Sequence, residues 1–364
     1  MKRALYITFK KYNSVLDGGG MANLRNLTMA QNMLGKENVD AIYIHDESKR
    51  RSLFNLLASA LCFPFGYFNG LLPWKVRRIV KMAHAFDYVF ISTSIFGIIA
   101  KELKKNGYQG TIVAHFHNVE SLYYDAALPK HLPFRNIIID CARRNDGYCC
   151  RYADRVLTLN KRDSNMLQQM YGRSAHMIVP IALPDKCSHT VFDTTTMTRR
   201  KPLCLFLGSY FAANVEGITW FVKQVLPHVN IELKIVGREM SRLKEKDACF
   251  NNIEIVSNAP NLAPFFLEAD FMILPIFAGS GMKVKTCESL MYGKNILGTD
   301  EAFEGYDIDT SRVGGCCRTA DDFINRINQY AQAPIPRHNA YARNTYEQFY
   351  SEEASLKVFR QVFN

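Results

Sequence analysis

The chain has 364 residues, a length that favours two domains, because one hydrophobic core rarely serves so long a chain. Apolar residues make up 48% and charged residues 22%, which indicates a folded globular protein and excludes a disordered one. The net charge of +11 favours polyanionic partners, namely nucleotides, phosphates, nucleic acid or anionic lipid. The alternative is a surface that is merely basic.

The ten cysteines predict neither disulfides nor a zinc site, because no C-x-x-C pair or Cys/His ligand spacing occurs. The first residues, MKRALYITFKKYNS, hold only a short apolar stretch with strand character and do not resemble a signal peptide. No apolar run reaches the length of a membrane span. We therefore expect a cytoplasmic protein with reduced thiols and no metal or cofactor.

The first half of the chain alternates short apolar runs with longer helical patterns, and the alternation restarts after Lys201. The runs are continuously apolar, as in strands that are buried on both faces of a parallel sheet. The strand candidates are Ala4–Phe9, Ala41–His45, Tyr88–Ser92, Thr111–His115, Arg155–Leu159, Leu203–Leu207, Glu232–Val236, Ile253–Val256, Phe271–Leu274 and Asn295–Gly298.

This pattern predicts an α/β fold with two doubly wound, Rossmann-like domains that face one cleft. The first domain covers 1–184, a polar, Thr-rich linker covers 185–200, and the second domain covers 201–345. The remaining 346–364 place Phe349, Leu356, Phe359 and Phe363 at helical spacings. This last helix either caps its own domain or crosses back to the first one.

A glycine-containing loop joins the strand that ends at Leu274 to a helix predicted from about Lys283 to Tyr292 and stopped by Gly293. Glycines let backbone N–H groups approach a phosphate, and the start of a helix adds positive potential. The segment from Gly279 to Lys294 is thus the candidate site for a nucleotide diphosphate.

Two stripes are predicted on this helix. Val284, Cys287 and Met291 should face the core, whereas Gly281, Lys285, Glu288 and Tyr292 form a second stripe. The ammonium of Lys285 would neutralise the diphosphate, and the carboxylate of Glu288 would accept hydrogen bonds from ribose hydroxyls. Lys283 is a second candidate ligand of the phosphates. The alternative is that Lys285 and Glu288 form a weak surface ion pair at i, i+3.

The run PIFAGSGMKVKTCESLMYGKNILGT resembles the nucleotide-sugar signature of the family 4 retaining glycosyltransferases, which have the GT-B fold. The segments FLGSYFAANVEGITWFVKQVLP, ADRVLTLNKRDSNMLQQMYG and IVPIALPD resemble further parts of the same family, so that the resemblance covers most of the chain. It implies transfer of a sugar from a nucleotide-diphosphate sugar to a glycan or lipid-linked acceptor, in surface polysaccharide or glycoconjugate synthesis.

The resemblance also implies roles for individual residues. Glu288 matches the second of two spaced glutamates and would bind the donor ribose, and His117 matches the histidine of the first domain. The catalytic candidates are His117, Lys285 and Glu288. The donor-binding candidates are Gly19, Gly20, Gly208, Asn214, Ser280, Gly281, Met282, Lys283, Lys285 and Glu288.

Two positions depart from the family pattern. Ser280 stands where the first of the two glutamates is usual, and Ser209 stands where an arginine follows the first strand of the second domain. The phosphate charge would then fall on Lys283 and Lys285. Retention in this family is discussed as front-face attack in which the leaving phosphate assists, so stabilisation of the departing diphosphate is the main requirement.

The first domain offers three glycines, Gly18 to Gly20, followed by Asn23 and Arg25 at the expected start of a helix. The glycines would leave the backbone open to donor phosphates or acceptor. A nicotinamide-binding enzyme is the alternative, but G-x-G-x-x-G is missing.

A second polar group follows the strand at Thr111, in the sequence VAHFHNVESLYY. His115 and His117 alternate to the same face if the strand continues, and His117 would hydrogen-bond the donor sugar or phosphate. The acceptor-side candidates are Arg25, His115, Asn118 and Glu120. The alternatives are structural histidines and a Glu120 that caps the following helix.

The segment 48–81 brackets an apolar, aromatic centre with basic residues, a composition typical of interfacial segments. It predicts docking on the inner leaflet of a membrane, or else a core helix with solvated ends. Nucleic acid is not expected as a partner, because Lys and Arg are dispersed without an aromatic–basic module. The competing functions are a nucleotide-sugar epimerase of the same fold and a catalytically inactive nucleotide-sugar-binding protein.

Overall fold

The structure is a computed structural model that describes residues 2–10, 18–45, 53–68, 70–187, 201–279, 281–333 and 336–363. The chain divides into two compact units. Unit 1 comprises Met1–Pro180 together with Ser355–Asn364, and unit 2 comprises Ile181–Ala354.

Unit 1 contains a sheet whose strands all run parallel, in the order β2-β1-β3-β4-β5-β6. Every residue of β3 is buried, as expected for a strand covered on both faces. The strands are β1 Ala4–Lys10, β2 Val39–His45, β3 Tyr88–Ile91, β4 Thr111–Phe116, β5 Arg155–Thr158 and β6 Met177–Ile178.

The helices of unit 1 join successive strands. They are α1 Gly18–Leu34, α2 Leu53–Cys62, α3 Pro73–Ala83, α4 Gly97–Lys105, α5 Glu120–Ala127, α6 Arg135–Tyr152 and α7 Lys161–Tyr171. Asn160 caps α7 by accepting the N–H of Asp163. Two buried side chains of α6 cap its neighbours in the same way: Asn145 accepts the N–H of Ile98 in α4, and Asp146 accepts the N–H of Ser121 in α5.

Unit 2 contains a second all-parallel sheet, in the order β12-β11-β10-β7-β8-β9. Strands β7, β8 and β9 follow one another on one half of the sheet, and β10, β11 and β12 follow one another on the other half, beginning next to β7. The direction in which successive strands are added therefore reverses between β7 and β10. Ligands of such sheets bind beyond the carboxyl ends of the strands at this switch point. The strands are β7 Leu203–Leu207, β8 Glu232–Gly237, β9 Glu254–Ser257, β10 Phe271–Leu274, β11 Asn295–Gly298 and β12 Gly314–Cys316.

The helices of unit 2 are mostly short. They are α8 Ala212–Gln224, α9 Arg242–Lys246, α10 Ala263–Glu268, α11 Val284–Met291, α12 Asp300–Phe303, α13 Thr310–Val313, α14 Ala320–Gln332 and α15 Ala340–Thr345. A capping box between Thr319 and Asp322 begins α14.

The predicted α/β fold with two Rossmann-like sheets is confirmed, and all ten predicted strands are present with ends shifted by at most two residues. The sequence missed β6 and β12. The first has two residues, and the second has the sequence Gly-Gly-Cys, which carries no strand propensity. Both lie at sheet edges, where short strands suffice.

The end of the chain is not one continuous helix from residue 346. A π-helical turn at Tyr346–Tyr350 follows α15, and α16 spans Glu352–Phe359 before a final 3-10 turn. Phe359 and Phe363 pack on Tyr88 and Phe90 of unit 1, whereas Phe349 is half exposed.

The bounds of the structural units also differ from the sequence-based domains. Ile181–Pro184 group with unit 2 rather than with the first domain, and Ser355–Asn364 group with unit 1. Of the linker predicted at 185–200, only 185–187 are among the described residues, and there Asp185 forms an ion pair with Arg343 of unit 2.

All ten cysteines lie in described segments and are free thiols. Within the same segments, the helices are too short or too polar for any one of them to cross a bilayer.

Candidate functional site

In unit 2, the candidate site residues gather around the switch point of the sheet. Gly208 and Ser209 directly follow β7, and the loop that leads to Gly281 follows the neighbouring strand β10. Lys285 and Glu288 lie on α11, which begins after this loop. Ser280 itself falls outside the described residues.

Two close backbone approaches explain why glycines stand here. A Cβ at Gly217 of α8 would lie 1.8 Å from the carbonyl oxygen of Pro275, so only glycine lets α8 pack against the end of β10. A Cβ at Gly237 would lie 1.7 Å from the carbonyl oxygen of Gly208, where the ends of β8 and β7 meet. These contacts fix the backbone on both sides of the switch point.

Lys285 is tied to the first helix of unit 2. Its Nζ donates to Oδ1 of Asn214 at 2.6 Å, and Nδ2 of Asn214 donates to the carbonyl oxygen of Ser209 at 2.9 Å. The Lys285 Nζ also lies 4.9 Å from the ring centroid of Phe206. The ammonium is therefore held at the switch point by a neutral amide and an aromatic face, with no carboxylate bonded to it among the described residues.

This environment lowers the pKa of Lys285 to about 7. Burial disfavours the charged ammonium, and the positive charge of Lys283 lowers the pKa further, whereas the negative charge of Glu288 raises it in part. A lysine in this state is partly neutral at physiological pH. A nearby phosphate would restore its full charge, since an anion favours the protonated form.

Glu288 is partly exposed. Among the described residues it forms no ion pair with Lys285, so the alternative of an i, i+3 ion pair between these two residues is not observed. Burial raises the pKa of Glu288, and the charges of Lys186 and Lys285 oppose this rise. Its carboxylate is available to accept hydrogen bonds on the same face of α11 as Lys285.

Lys283 has a different setting from Lys285. Its Nζ forms an ion pair with Glu301 and donates to the carbonyl oxygen of Gly281 at 2.9 Å. The hydroxyl of Tyr306 donates to the backbone oxygen of Lys283 at 2.6 Å. Gly281 has a φ of 64°, a left-handed conformation that favours glycine, and Met282 is buried.

The two predicted stripes of α11 are partly as expected. Cys287 and Met291 are fully buried, and Val284 is only half buried. Tyr292, assigned to the binding stripe, lies instead in the core, where its ring stacks on Phe266 with centroids 4.2 Å apart. Tyr292 is the C-cap residue of α11, and its N–H still donates to the carbonyl oxygen of Glu288 at 3.0 Å.

In unit 1, Gly18 to Gly20 form the first turn of α1 rather than a free loop, and Gly20 is buried. Arg25 is buried as well. Its Nε and Nη2 donate to Oδ1 of Asn26 at 3.0 and 2.8 Å, and its Nη1 donates to the carbonyl oxygen of Pro180 at 2.8 Å. The guanidinium thus orients Asn26.

This orientation determines the state of His115. Because Arg25 can only donate, the oxygen of the Asn26 amide must face it, and the amide nitrogen then donates to Nδ1 of His115 at 2.9 Å. His115 is consequently neutral with its proton on Nε2. Burial, followed by His117 and Arg25, lowers its pKa well below the usual value.

His117 packs edge-on against His115, with ring centroids 4.7 Å apart. Burial and then Arg25 lower the pKa of His117 to about 3, so this ring is also neutral. Nε2 of each ring is buried without a hydrogen-bond partner in the described part of the chain. Asn118, the next candidate, is half buried.

Glu120 begins α5 and is buried against a second carboxylate, Asp146. Burial and the charge of Asp146 raise the pKa of Glu120 to about 8, and a hydrogen bond from Thr93 opposes the rise. Burial also raises the pKa of Asp146, which accepts from Ser94 Oγ at 2.6 Å and from the Ser121 N–H at 2.9 Å. Asp146 therefore caps α5, the role that the sequence had offered for Glu120.

Sequence reasoning missed three residues of these clusters: Asn26, Asp146 and Glu301. Each lies on a helix, and a single Asn, Asp or Glu on a helix carries no signal that distinguishes it from a solvated residue. Among the described residues, no three His, Cys, Asp or Glu side chains come together as a metal site.

Comparison with known proteins agrees with this architecture. Residues 201–332, which include β7, the glycine loop and α11, match the family described as Glycosyl transferases group 1. No curated protein sequence matches the chain significantly. Solved structures with the same two-domain α/β architecture include GT-B glycosyltransferases, so the fold is the GT-B fold.

Three of these structures are similar over nearly the full length. The lipopolysaccharide outer core galactosyltransferase WaaB is 16% identical with a TM-score of 0.69, covering 100% of this chain and 99% of its own. Sucrose-phosphate synthase from Thermosynechococcus elongatus is 12% identical with a TM-score of 0.70 and the same coverage. HepE of Anabaena in complex with UDP is 12% identical with a TM-score of 0.67, covering 99% of both chains.

Proposed function

We propose that this protein is a retaining glycosyltransferase that moves a hexose from a nucleotide-diphosphate sugar to a glycan or lipid-linked acceptor in surface polysaccharide or glycoconjugate synthesis. The observation that carries the proposal is the contact of Lys285 with Asn214. It links the helix after β10 to the helix after β7 at the switch point, beside a glycine loop. A diphosphate placed there would meet an ammonium and the backbone N–H groups at the start of α11.

The chemistry required of the site is stabilisation of the departing diphosphate. Lys285 supplies charge that strengthens when the phosphate arrives, because the anion raises its lowered pKa. Glu288 would accept hydrogen bonds from the ribose. UDP is the first nucleotide to test, since the similar HepE structures contain UDP, UDP-glucose, or UDP and glucose.

His117 would bind a sugar hydroxyl rather than a phosphate, because a neutral imidazole suits a neutral group. We expect His117→Ala to lower kcat/KM roughly tenfold, the effect of one lost hydrogen bond of about 1.4 kcal/mol, while the affinity for the free nucleoside diphosphate stays unchanged. His131→Ala, at an exposed position of unit 1, is the matched control. A loss of diphosphate affinity in the His117 variant would remove this role.

A thermal-unfolding screen with UDP-, GDP-, ADP- and dTDP-sugars tests the proposal most simply. A ligand at about 100 times its Kd stabilises the folded protein by roughly 2.7 kcal/mol.

The anomeric configuration of the product, determined by NMR, then distinguishes retaining transfer from the alternative functions. A new glycoside with the donor's configuration supports retaining transfer, an epimerised nucleotide sugar supports the epimerase, and binding without turnover supports an inactive binding protein.

We further propose that the protein works in the cytoplasm and docks on the inner leaflet through the segment 48–81. This segment contains seven Lys and Arg residues and no Asp or Glu. In its described part, Leu57, Leu61, Phe65 and Trp74 are exposed, and Leu61 and Phe65 reach 74% and 68% exposure. Exposed apolar side chains within a basic segment suit an anionic bilayer surface.

Vesicle co-sedimentation tests this location. The double variant Leu61→Ser/Phe65→Ser should lose binding to vesicles that contain anionic lipid, and wild type should not bind neutral vesicles. Phe63 is a poorer choice for substitution, because its ring packs on Phe68. Unchanged binding of the double variant would contradict the proposed surface.

A further inference from the structure

We propose that Glu301 is the carboxylate that binds the hydroxyl groups of the transferred sugar and thereby contributes to donor specificity. The inference rests on the proposed function and deepens it. The loop Gly279-Ser280-Gly281 carries no acidic side chain. Glu301 comes from the neighbouring loop, after β11, which pairs with β10 along the sheet.

Glu301 lies directly against the glycine loop. A Cβ built on Gly279 would lie 3.2 Å from Oε1 of Glu301 and 3.1 Å from Cε of Lys283. Any side chain at Gly279 would thus press on the ion pair between Lys283 and Glu301. The glycine leaves the carboxylate in contact with the loop where a donor would bind.

The ion pair holds this carboxylate in one place. The side chains of Lys283 and Glu301 are only 12% and 21% exposed. Lys283 is fixed in turn by its bond to the carbonyl oxygen of Gly281. Oε2 of Glu301 has no hydrogen-bond partner among the described residues, and a carboxylate oxygen can accept from two donors. A preorganised, partly exposed acceptor of this kind suits sugar hydroxyls.

The two lysines of the site are thereby assigned to different parts of the donor. Glu301 neutralises Lys283, whereas Lys285 forms no ion pair among the described residues, where its Nζ donates to the neutral amide of Asn214. Lys285 then serves the diphosphate, and Lys283 serves as the positioning residue of Glu301. This differs from the sequence-based expectation that both lysines contact phosphate.

Paired titrations test the assignment. UDP and UDP-glucose, and likewise GDP and GDP-mannose, are titrated into wild type by calorimetry, and the pair that binds is then titrated into Glu301→Gln and Lys283→Met. We expect both variants to bind the sugar nucleotide roughly tenfold more weakly and to bind the free diphosphate within about twofold of wild type. Asp300→Asn, at the adjacent exposed carboxylate paired with Arg318, is the control and should leave both affinities unchanged.

The other outcomes overturn the inference. Equal losses for sugar nucleotide and diphosphate would show a general effect on the loop, and unchanged affinities would show no contact with the sugar. A selective loss of diphosphate affinity in Lys283→Met would make Lys283 a phosphate ligand. Melting temperatures of the variants exclude unfolding as the cause. If wild type binds neither these four ligands nor any nucleotide sugar of the thermal screen, the proposed function fails as well. If a sugar nucleotide binds and its affinity does not depend on Glu301, only the inference about Glu301 fails.

Discussion

The candidate clusters of the two units differ in charge and in exposure. In unit 2, Lys285 and Glu288 are partly exposed, ionisable groups beside a glycine loop. In unit 1, His115 and His117 are buried and neutral. Both clusters lie at the carboxyl ends of parallel strands, so the topology alone does not distinguish them. The difference indicates that unit 2 is suited to a polyanion and the unit 1 cluster to uncharged hydroxyl groups.

The largest effect is expected when the positive charge of Lys285 in unit 2 is removed, which tests the proposed difference between the two units. We expect Lys285→Met to weaken nucleotide-sugar binding roughly 100-fold at pH 6, because a charge-assisted hydrogen bond contributes up to about 3 kcal/mol. Calorimetric titration measures the affinity. Lys244→Met, at an exposed position on α9, is the control. An affinity within threefold of wild type would mean that Lys285 does not contact the diphosphate.

Glu288 tests the neighbouring role on the same helix. We expect Glu288→Ala to lose at least tenfold in kcat/KM, about 1.4 kcal/mol of transition-state stabilisation, because the ribose loses its acceptor. Steady-state kinetics with the donor found by the thermal screen measures this loss. The exposed Glu245 provides the matched control variant, Glu245→Ala. Wild-type turnover in Glu288→Ala would remove this residue from the site.

The comparison also predicts a pH dependence for unit 2. In the free protein, Lys285 loses its proton as the pH rises through about 7, and a bound diphosphate would raise its pKa again. Binding therefore takes up a proton above pH 7, and the affinity for a nucleotide sugar should fall roughly tenfold between pH 6 and pH 8. Lys285→Met should show no such fall. A flat profile in wild type would contradict the lowered pKa.

The last prediction concerns the stability of unit 1. The folded-state pKa of Glu120 lies at about 8, above its ordinary value, so between these values the folded state holds an extra proton. The free energy of unfolding should fall as the pH rises through this window, by up to about 1.4 kcal/mol per pH unit. Glu120→Gln, which mimics the protonated acid, should flatten this slope in urea unfolding. The exposed Glu37→Gln should keep it, and parallel slopes in all three proteins would refute the prediction.

How much the sequence predicts differs between the two regions. The core strands and α11 could be predicted, because continuous apolar runs and a glycine loop before a helix are local patterns. The same holds for the face that carries Lys285 and Glu288. The partner of Lys283 could not be predicted, since Glu301 is brought to the loop by the pairing of β11 with β10 and not by any spacing in the chain.

In unit 1, the candidate residues could be identified from the sequence, but their protonation states could not. The sequence places His115 and His117 at the end of a strand, yet their neutral form depends on burial and on Asn26, which Arg25 orients. The same limit applies to Arg25. The sequence suggested it as an acceptor-side residue, but its buried hydrogen bonds to Asn26 and to the carbonyl oxygen of Pro180 could not be predicted. Burial and long-range polar contacts are properties of the fold.

Hydrogen exchange with the bound nucleotide sugar measures the central claim most directly. The segment from Gly279 to Lys294, which includes α11, should exchange more slowly when the ligand that the thermal screen selects is present, because the loop and the start of the helix would then bind the diphosphate. We expect this protection in wild type and its loss in Lys285→Met at the same ligand concentration. Protection that lies elsewhere in the chain, with residues 279–294 unchanged, would contradict it.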